Sequence, residues 1–316
     1  MSNPKSIGTN PSKLIESSGE GYDKTKTLWS DFLALIKIGI INSNLMTTFA
    51  GFWLALFVTQ SSSFFLYWDV FILTMTGTAF VIAGGCVLNN YYDQDIDQKM
   101  SRTKERPTVT GTMSNSLILK LGIGFSVFGL ILLWLASPMA ALFGFLGWFT
   151  YVVLYTMWSK RRYTINTIIG SFSGAAPPLI GWFAVDTSFH PIAFVLFLIL
   201  FIWQTPHFLS LAMLKTEEYK EAGIPMLPVI HGFSITKRQM TIYIACLLPL
   251  PFYFGSLGTI FLVLASILNI GWLILSISGF FTKDDLKWAK RMFIYSLNYL
   301  TIISLAMVIA TIPSFF

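Results

Sequence analysis

Long apolar stretches separated by short polar segments fill most of the chain. Nine of them approach the roughly 20 residues that an α-helix needs to cross a bilayer. They lie at about residues 38–58, 66–90, 117–136, 139–158, 165–185, 191–213, 240–256, 258–280 and 292–312. The pattern predicts an all-α integral membrane protein with nine transmembrane helices.

The composition agrees with a membrane protein. Of the 316 residues, 54% are hydrophobic and 11% are charged, and the mean hydropathy is +0.67, whereas a soluble domain has roughly 25% charged residues. Residues 1–28 are polar, rich in Ser, Gly, Lys and Pro, and lack the apolar core of a signal peptide. We predict a mobile polar N-terminal tail over residues 1–28 and a transmembrane domain over residues 29–316.

The basic residues are distributed unevenly between the two membrane faces. If the N-terminus is cytoplasmic, all 21 Lys and Arg residues lie on the cytoplasmic side. The opposite connections, around Ser137, at 186–190 and at 255–258, contain none, and neither does the segment 313–316. Because cytoplasmic loops are enriched in Lys and Arg, we predict a multi-pass plasma-membrane protein whose N-terminus and larger loops are cytoplasmic. The net charge of +6 is then a topology signal, and no nucleic-acid partner is expected.

A polar segment follows the second apolar stretch. In it, Asn89, Asp93 and Asp97 recur every four residues and so share one face of a continuing helix, whereas Asp95 lies on another face. We call Asn89, Asp93 and Asp97 the acidic stripe. Stacked carboxylates repel each other, and a divalent cation relieves that repulsion. Their oxygen ligands suit a hard ion such as Mg²⁺, which completes its shell with substrate phosphate oxygens.

Four basic residues come directly after the stripe: Lys99, Arg102, Lys104 and Arg106. They are positioned to hold phosphate oxygens that the metal does not engage. The alternative is a solvated loop whose basic residues only fix the topology. That alternative suits the stripe less well, because acidic residues contribute little to membrane orientation and an ionisable cluster at the end of a span is usually functional.

At this point the motifs resemble a known family. The pattern N-x-x-x-D-x-x-x-D at 89–97, followed by R-T-x-x-R-P at 102–107, is similar to the UbiA superfamily of intramembrane prenyltransferases. Further stretches resemble the branch of that superfamily that farnesylates heme: YTMWSKRRYTIN at 155–166, GAAPPLIGW at 174–182, WQTPHF at 203–208 and EEYKEAGIPMLPV at 217–229.

The resemblance implies a UbiA-type helix bundle and a Mg²⁺-dependent reaction. The farnesyl group of farnesyl diphosphate would be transferred to a vinyl group of heme B, giving heme O and diphosphate for the hemes of terminal oxidases. Heme B would be a substrate and Mg²⁺ the cofactor. A heme A synthase is the protein partner that this activity suggests.

The resemblance also implies roles for residues outside the stripe. Lys160, Arg161 and Arg162 would form a second diphosphate-binding group, with a topology cluster as the alternative, and Tyr155 would line the hydrophobic entrance. Many superfamily members have a second motif D-x-x-x-D after the sixth span. This chain has Glu217, Glu218 and Glu221 there instead. Each is a candidate metal ligand, and we favour Glu218, which we place with Asn89, Asp93 and Asp97 among the catalytic residues.

Trp203 and His207 would lie on the heme or prenyl side of the site. For His207 two interpretations stay open: a heme contact or axial ligand, and an interior histidine satisfied by its neighbours.

Two other functions compete with heme farnesylation. A UbiA relative that prenylates an aromatic quinone precursor would share the metal and diphosphate residues, and only the His207 and Ala-Gly-Ile-Pro regions argue against it. A transporter or channel would use the stripe as a cation path. Transporter sites lie near the bilayer midplane, whereas both acidic clusters here are predicted at one membrane face.

Overall fold

The computed structural model describes residues 28–60 and 64–312. Within them, nine helical segments are long and apolar enough to cross a membrane. These segments are Ile38–Val58, Phe64–Tyr92, Asn115–Ala136, Pro138–Ser159, Asn166–Val185, Pro191–Leu214, Leu227–Leu257, Thr259–Ser278 and Asp285–Thr311. The predicted all-α class and the nine predicted spans are confirmed. The predicted tail, except for Leu28, lies outside the described residues.

The described part of the chain contains thirteen α-helices and three other helical segments, which form these spans and the connections between them. The α-helices are α1 (Leu28–Ile36), α2 (Ile38–Val58), α3 (Trp68–Tyr92), α4 (Gln94–Asp97), α5 (Pro107–Thr110), α6 (Asn115–Ala136), α7 (Pro138–Phe149), α8 (Asn166–Val185), α9 (Pro191–Leu214), α10 (Thr216–Glu221), α11 (Leu227–Leu247), α12 (Thr259–Ser278) and α13 (Asp285–Thr311). A π-helix, Thr150–Ser159, continues α7, and 3₁₀ segments occupy Phe64–Tyr67 and Leu250–Leu257.

The predicted starts of the seventh and ninth spans are too late. The seventh begins at Leu227 and the ninth at Asp285, because Lys237, about three turns into the seventh span, pairs with Asp285 at the start of the ninth. The Lys237 ammonium donates to Asp285 Oδ1 at 2.5 Å and to Gly279 O at 2.6 Å. This pairing lets a buried lysine remain within a helix, where the hydropathy pattern alone indicates a loop.

Helices α8 and α9 occupy the centre of the bundle. Of the residues in the most apolar stretch of each helix, 61% are buried in α8 and in α9, against 28% in α6 and in α12. The backbones of α2 and α8 touch, because a Cβ at Gly51 would collide with Pro178 O and one at Gly181 with Thr48 O. Small residues thus allow the close helix packing that is common in membrane bundles.

Large apolar side chains cover the outside of the bundle. Trp134 on α6 and Ile260 and Ile274 on α12 are exposed, which suits a surface that faces lipid. The polar connections at 93–114, 160–165 and 215–226 meet at one end of the bundle. Arg161 bonds Asp95 there, and Ser101 bonds Glu218. This end carries the candidate site.

Candidate active site

The acidic stripe is buried, as its spacing predicts. Asn89, Asp93 and Asp97 are 3%, 0% and 2% exposed, whereas the side chain of Asp95 is 65% exposed. Helix α3 ends at Tyr92 and does not continue as predicted. The i to i+4 bonds nevertheless persist, from Asp93 N to Asn89 O at 3.0 Å and from Asp97 N to Asp93 O at 2.9 Å. The three side chains therefore keep one face across the helix end.

The Asn89 side chain organises the centre of the stripe. Its Nδ2 donates to Asp93 Oδ2 at 2.7 Å and to Thr156 Oγ1 at 3.0 Å, and its Oδ1 accepts from Lys37 Nζ at 2.5 Å. The amide thus connects the first span, the second span and the π-helix. A carboxylate at position 89 could accept from Lys37 but could not donate to Asp93.

Basic side chains from separate segments neutralise the stripe. Lys160 forms an ion pair with Asp93 Oδ2, and Arg106 forms one with Asp97 Oδ2 at 2.5 Å. Arg161 bonds both oxygens of Asp95 at 2.7 Å and lies 3.5 Å from Asp93 Oδ1. These Arg161 hydrogen bonds lower the pKa of Asp95. Three residues of the predicted diphosphate set thus converge on the carboxylates.

A π-helix places Lys160 and Thr156. Thr156 Oγ1 donates to Tyr151 O at 2.8 Å, and Lys160 N donates to Tyr155 O at 2.9 Å, both across five residues. Such segments are rare and frequently lie at functional sites. Tyr151 and Tyr155 stack, with ring centroids 5.9 Å apart. The Tyr155 ring also packs on Gly170 of α8, where an added Cβ would lie 3.2 Å from it.

The second acidic segment lies against the first. Glu218 Oε1 accepts from Lys215 Nζ at 2.6 Å and from Ser101 Oγ at 2.9 Å. Bonding to Lys215, and then to Ser101, lowers the pKa of Glu218 and keeps its carboxylate ionised at neutral pH. Tyr219, next along the chain, is close enough to Tyr155 and Arg102 to interact with them electrostatically, and burial raises the pKa of its phenol.

An apolar cluster holds the two acidic segments together. Ile96 and Met100 from the first segment pack with residues around the second. Those residues are Ala212, Ala222, Ile224 and Met226. Gly223 between them adopts a φ of +70°, which favours glycine. The Ala-Gly-Ile-Pro-Met string therefore has a structural role in joining the segments.

Several predicted site residues are not brought into the cluster. They are exposed, and their side chains have no hydrogen bond or ion pair within the described residues: Lys99, Arg102, Lys104, Arg162, Glu217 and Glu221. Among the three glutamates, Glu218 is the one whose side chain bonds the first acidic segment, through Ser101. Its role as a metal ligand stays a prediction. Diphosphate roles for the exposed cations stay predictions.

Trp203 and His207 on α9 contact α13, and no hydrogen bond or ring contact joins their side chains to the stripe within the described residues. Trp203 Nε1 donates to Ser296 O at 2.8 Å. The His207 ring stacks between Trp203 and Phe293, with centroids 4.8 and 4.9 Å away. His207 Nδ1 lies 2.7 Å from Ser296 Oγ. The same hydroxyl lies 2.6 Å from Phe293 O, so the His207 ring is held at Nδ1 by a side chain of α13.

Sequence reasoning missed three residues of the site: Lys37, Thr156 and Ser101. In the sequence, Lys37 is one of the 21 basic residues that indicate the topology, and nothing else distinguishes it. Its ammonium is desolvated beside Asn89 and lies near Arg106 and Lys160, and burial followed by Arg106 lowers its pKa to about 7. Its partner Asn89 lies 52 residues away, and its backbone is left-handed although it is not a glycine. No pattern in the neighbouring sequence therefore predicts this role.

The oxygen atoms of the site fit a hard divalent ion. Within the described residues, no three His, Cys, Asp and Glu side chains form a ready cluster for a metal. However, Asp93 Oδ1 and Glu218 Oε2 are buried without a hydrogen-bond partner. Leaving such an oxygen unpaired is costly, and Mg²⁺ prefers one or two carboxylates together with substrate phosphates. The donor set therefore suits Mg²⁺.

Comparisons with known proteins agree with this architecture. Residues 44–297 match the UbiA prenyltransferase family. The chain is 58% identical over 296 residues to a protoheme IX farnesyltransferase of Geobacillus sp. (strain WCH70), covering 93% of this chain and 96% of the relative.

Solved structures share the fold at low sequence identity. A digeranylgeranylglyceryl phosphate synthase superposes with a TM-score of 0.74 at 19% identity, covering 90% of this chain and 99% of that one. A UbiA homologue from Archaeoglobus fulgidus bound to DMAPP and Mg²⁺ gives 0.67 at 18% identity, covering 88% and 99%. The chain therefore belongs to the UbiA prenyltransferase family and, within it, to the protoheme IX farnesyltransferases.

Proposed function

We propose that this chain transfers the farnesyl group of farnesyl diphosphate to a vinyl group of heme B, giving heme O and diphosphate. The observation that carries the proposal is the buried acidic stripe, which is surrounded by cations at one end of an apolar bundle. An allylic diphosphate matches this arrangement of a charged site next to an apolar interior, because its headgroup is polyanionic and its tail is a hydrocarbon. The identity of the acceptor follows from the name shared by the protoheme IX farnesyltransferases to which the chain is similar.

Asp93, Asp97 and Glu218 would hold Mg²⁺. Asp93 Oδ1 and Glu218 Oε2 have no hydrogen-bond partner, and Asp97 uses only Oδ2 for Arg106. Bound there, Mg²⁺ neutralises the charge that develops on the diphosphate leaving group. The Archaeoglobus fulgidus homologue bound to DMAPP and Mg²⁺ supports a divalent metal in this fold.

Lys160, Arg161 and Arg106 would bind the diphosphate oxygens. In the structure each is paired with a carboxylate of the first acidic segment. With a divalent ion held by the carboxylates, these cations would be free to pair with the diphosphate oxygens. Lys99, Arg102, Lys104 and Arg162 are exposed at the same end and would attract the anion before it binds.

The reaction needs no nucleophile from the protein. The C1–O bond of farnesyl diphosphate breaks, and its electron pair leaves with the diphosphate. The π electrons of a heme vinyl group then form a bond to C1, water adds to the resulting cation, and a proton is lost. Fixed cations and carboxylates accelerate the first step, because they stabilise charge where it develops without rearranging.

The apolar substrates would lie within the bundle. The stacked rings of Tyr151 and Tyr155, next to the ion pairs, suit the first isoprene units of the farnesyl chain. Trp203 and His207 between α9 and α13 would contact heme, with His207 Nε2 available for the iron.

The functional setting follows from the charge distribution. We propose a plasma-membrane location with the N-terminus and the acidic segments in the cytoplasm, because the described connections at the opposite end contain no Lys or Arg. Farnesyl diphosphate would then bind from the cytoplasm. A heme A synthase, which would act next on heme O, is the proposed protein partner.

One assay tests the function. Purified chain in nanodiscs would receive heme B and farnesyl diphosphate, with Mg²⁺ or with EDTA, and the hemes would be analysed by mass spectrometry. We expect heme B to gain one farnesyl group and one hydroxyl group only when Mg²⁺ is present. Unchanged heme B together with a prenylated aromatic acid, when such an acid is supplied, would overturn the proposal.

A further inference from the structure

The chain bends at a single residue before its first span. Helix α1 ends at Ile36 and α2 begins at Ile38, while Lys37 between them has φ 55° and ψ 59°. Among the described residues, only Lys37 and Gln60 combine a positive φ with a side chain other than that of glycine. A Cβ disfavours this left-handed conformation, and strained residues of this kind cluster at functional sites.

The bend accompanies a contact between Lys37 and the acidic stripe. Its Nζ donates to Asn89 Oδ1 at 2.5 Å, from a residue 52 positions away. Arg106, Lys160 and Asp93 are close enough to act on the ammonium electrostatically. Lys37, directly before the first span, thus adds a third cation to the site that contains Arg106 and Lys160.

The charges around Lys37 favour a further anion. When Lys37 is protonated, Lys37, Arg106 and Lys160 together carry one more charge than the buried carboxylates Asp93 and Asp97 balance. An ammonium has three N–H donors, and within the described part of the chain only one of those on Lys37 has an acceptor. A ligand with several anionic oxygens would both offset the repulsion among the cations and accept the remaining donors.

We propose that Lys37 binds the diphosphate of the prenyl substrate, and that by leaving Asn89 Oδ1 for the substrate it frees this oxygen for the metal ion. The inference rests on the proposed function and adds to its site a residue outside the family motifs quoted above. The backbone bend at Lys37 is the cost of placing the ammonium there.

Lys37→Gly removes the ammonium and also relieves the left-handed backbone strain. A loss of binding in this variant therefore reports the loss of the charge and not an added backbone strain. The matched control for strain is Gln60→Gly, at the other end of α2. The matched control for charge is Lys120→Met, which removes an exposed lysine of α6. Lys37→Met removes the charge and keeps the strain.

Each variant in nanodiscs would be titrated with Mg²⁺ and farnesyl thiodiphosphate, a slowly reacting analogue, and separately with inorganic diphosphate, by calorimetry. Thermal unfolding would be measured in parallel. We expect Lys37→Gly and Lys37→Met to raise the Kd for both ligands at least about tenfold, as for loss of a charged hydrogen bond. Lys37→Gly should unfold at the wild-type temperature or above it. Both controls should bind like wild type.

An unchanged Kd in a stable Lys37→Gly protein would overturn the proposal, since Lys37 would then only join two helices. Unfolding of both Lys37 variants would also overturn it by showing that the side chain holds the fold. Weaker binding of the analogue with unchanged binding of inorganic diphosphate would overturn the headgroup assignment. If wild-type protein binds the analogue but makes no heme O, the proposed function fails while the Lys37 inference survives.

Discussion

The carboxylates of the first acidic segment differ in burial although they are only two residues apart. Asp93 is fully buried, with Oδ1 unbonded, whereas Asp95 is exposed and paired with Arg161. We predict that Asp93→Ala and Asp97→Ala each abolish heme O formation, because each removes a proposed metal ligand. Asp95→Ala should keep most activity, since an exposed ion pair contributes little. Product formation, together with thermal unfolding of each variant, checks the prediction.

Equal losses in the three variants would contradict this distinction. They would mean that Arg161 needs Asp95 in order to reach the diphosphate. Asp93→Asn provides the control for shape, because it keeps the hydrogen-bonding size of the side chain and removes the charge that a metal needs. Its activity should be as low as that of Asp93→Ala.

The His207 ring contacts Ser296 through Nδ1 and stacks between Trp203 and Phe293. We predict that His207→Ala lowers heme B affinity, measured by Soret titration, at least about tenfold, and leaves Mg²⁺-dependent binding of a farnesyl diphosphate analogue nearly unchanged. The matched control is His190→Ala, at the opposite end of α9, where the ring stacks on Trp182. Equal falls in stability and in both affinities after His207→Ala would instead identify a packing residue.

At the residue scale, the sequence predicted the stripe and the cations around it, but it missed two hydrogen-bond partners of Asn89. The four-residue spacing places Asn89, Asp93 and Asp97 on one face, and this local geometry survives the end of α3. The contacts from Lys37 and Thr156 span 52 and 67 residues. Tertiary packing creates such contacts, and no periodicity within either segment indicates them. The Ser296 partner of His207 was hidden for the same reason.

At the element scale, the two acidic segments act as one unit. Ser101 bonds Glu218 across 117 residues, and a shared apolar cluster lies beside them. We predict that Glu218→Gln strongly lowers kcat, because it weakens the link to Lys215 and removes the proposed metal ligand. Glu217→Gln and Glu221→Gln, exposed neighbours on α10, should retain near wild-type rates. Steady-state kinetics at several Mg²⁺ concentrations would measure the three variants.

Added Mg²⁺ should partly restore Glu218→Gln, since a weaker site needs more metal. If Glu217→Gln or Glu221→Gln loses more activity than Glu218→Gln, the ligand assignment within this segment is wrong. The acidic pattern alone could not distinguish the three glutamates. The structure separates them because only Glu218 reaches Ser101.

Span positions were predictable from hydrophobic length, with two informative exceptions. The N-terminal parts of the seventh and ninth spans contain charged residues, and Lys237 of the seventh forms an ion pair with Asp285 of the ninth. The π-helix at Thr150–Ser159 was also unpredicted. Its sequence, TYVVLYTMWS, is apolar like an ordinary span, and the shift in hydrogen bonding depends on packing against α3 and α8.

At the scale of the whole molecule, the basic residues define an orientation. We predict that single cysteines replacing Lys120 and Lys283 react with an impermeant maleimide only from the cytoplasmic side. A cysteine replacing Ser188 should react only from the opposite side. Intact cells and inverted vesicles, labelled in parallel, provide the measurement. Reversed labelling would contradict the assignment of the acidic segments to the cytoplasm.

The sequence separations of the site contacts also imply an order in which the site is built during synthesis. Arg106, the partner of Asp97, is synthesised nine residues after it. Lys160, the partner of Asp93, follows 67 residues after Asp93, and Glu218 follows 117 residues after its partner Ser101. Because chains begin to fold from the N-terminal side as they are made, the diphosphate-binding half forms once the fourth span has emerged from the ribosome. The Glu218 link closes only after the sixth.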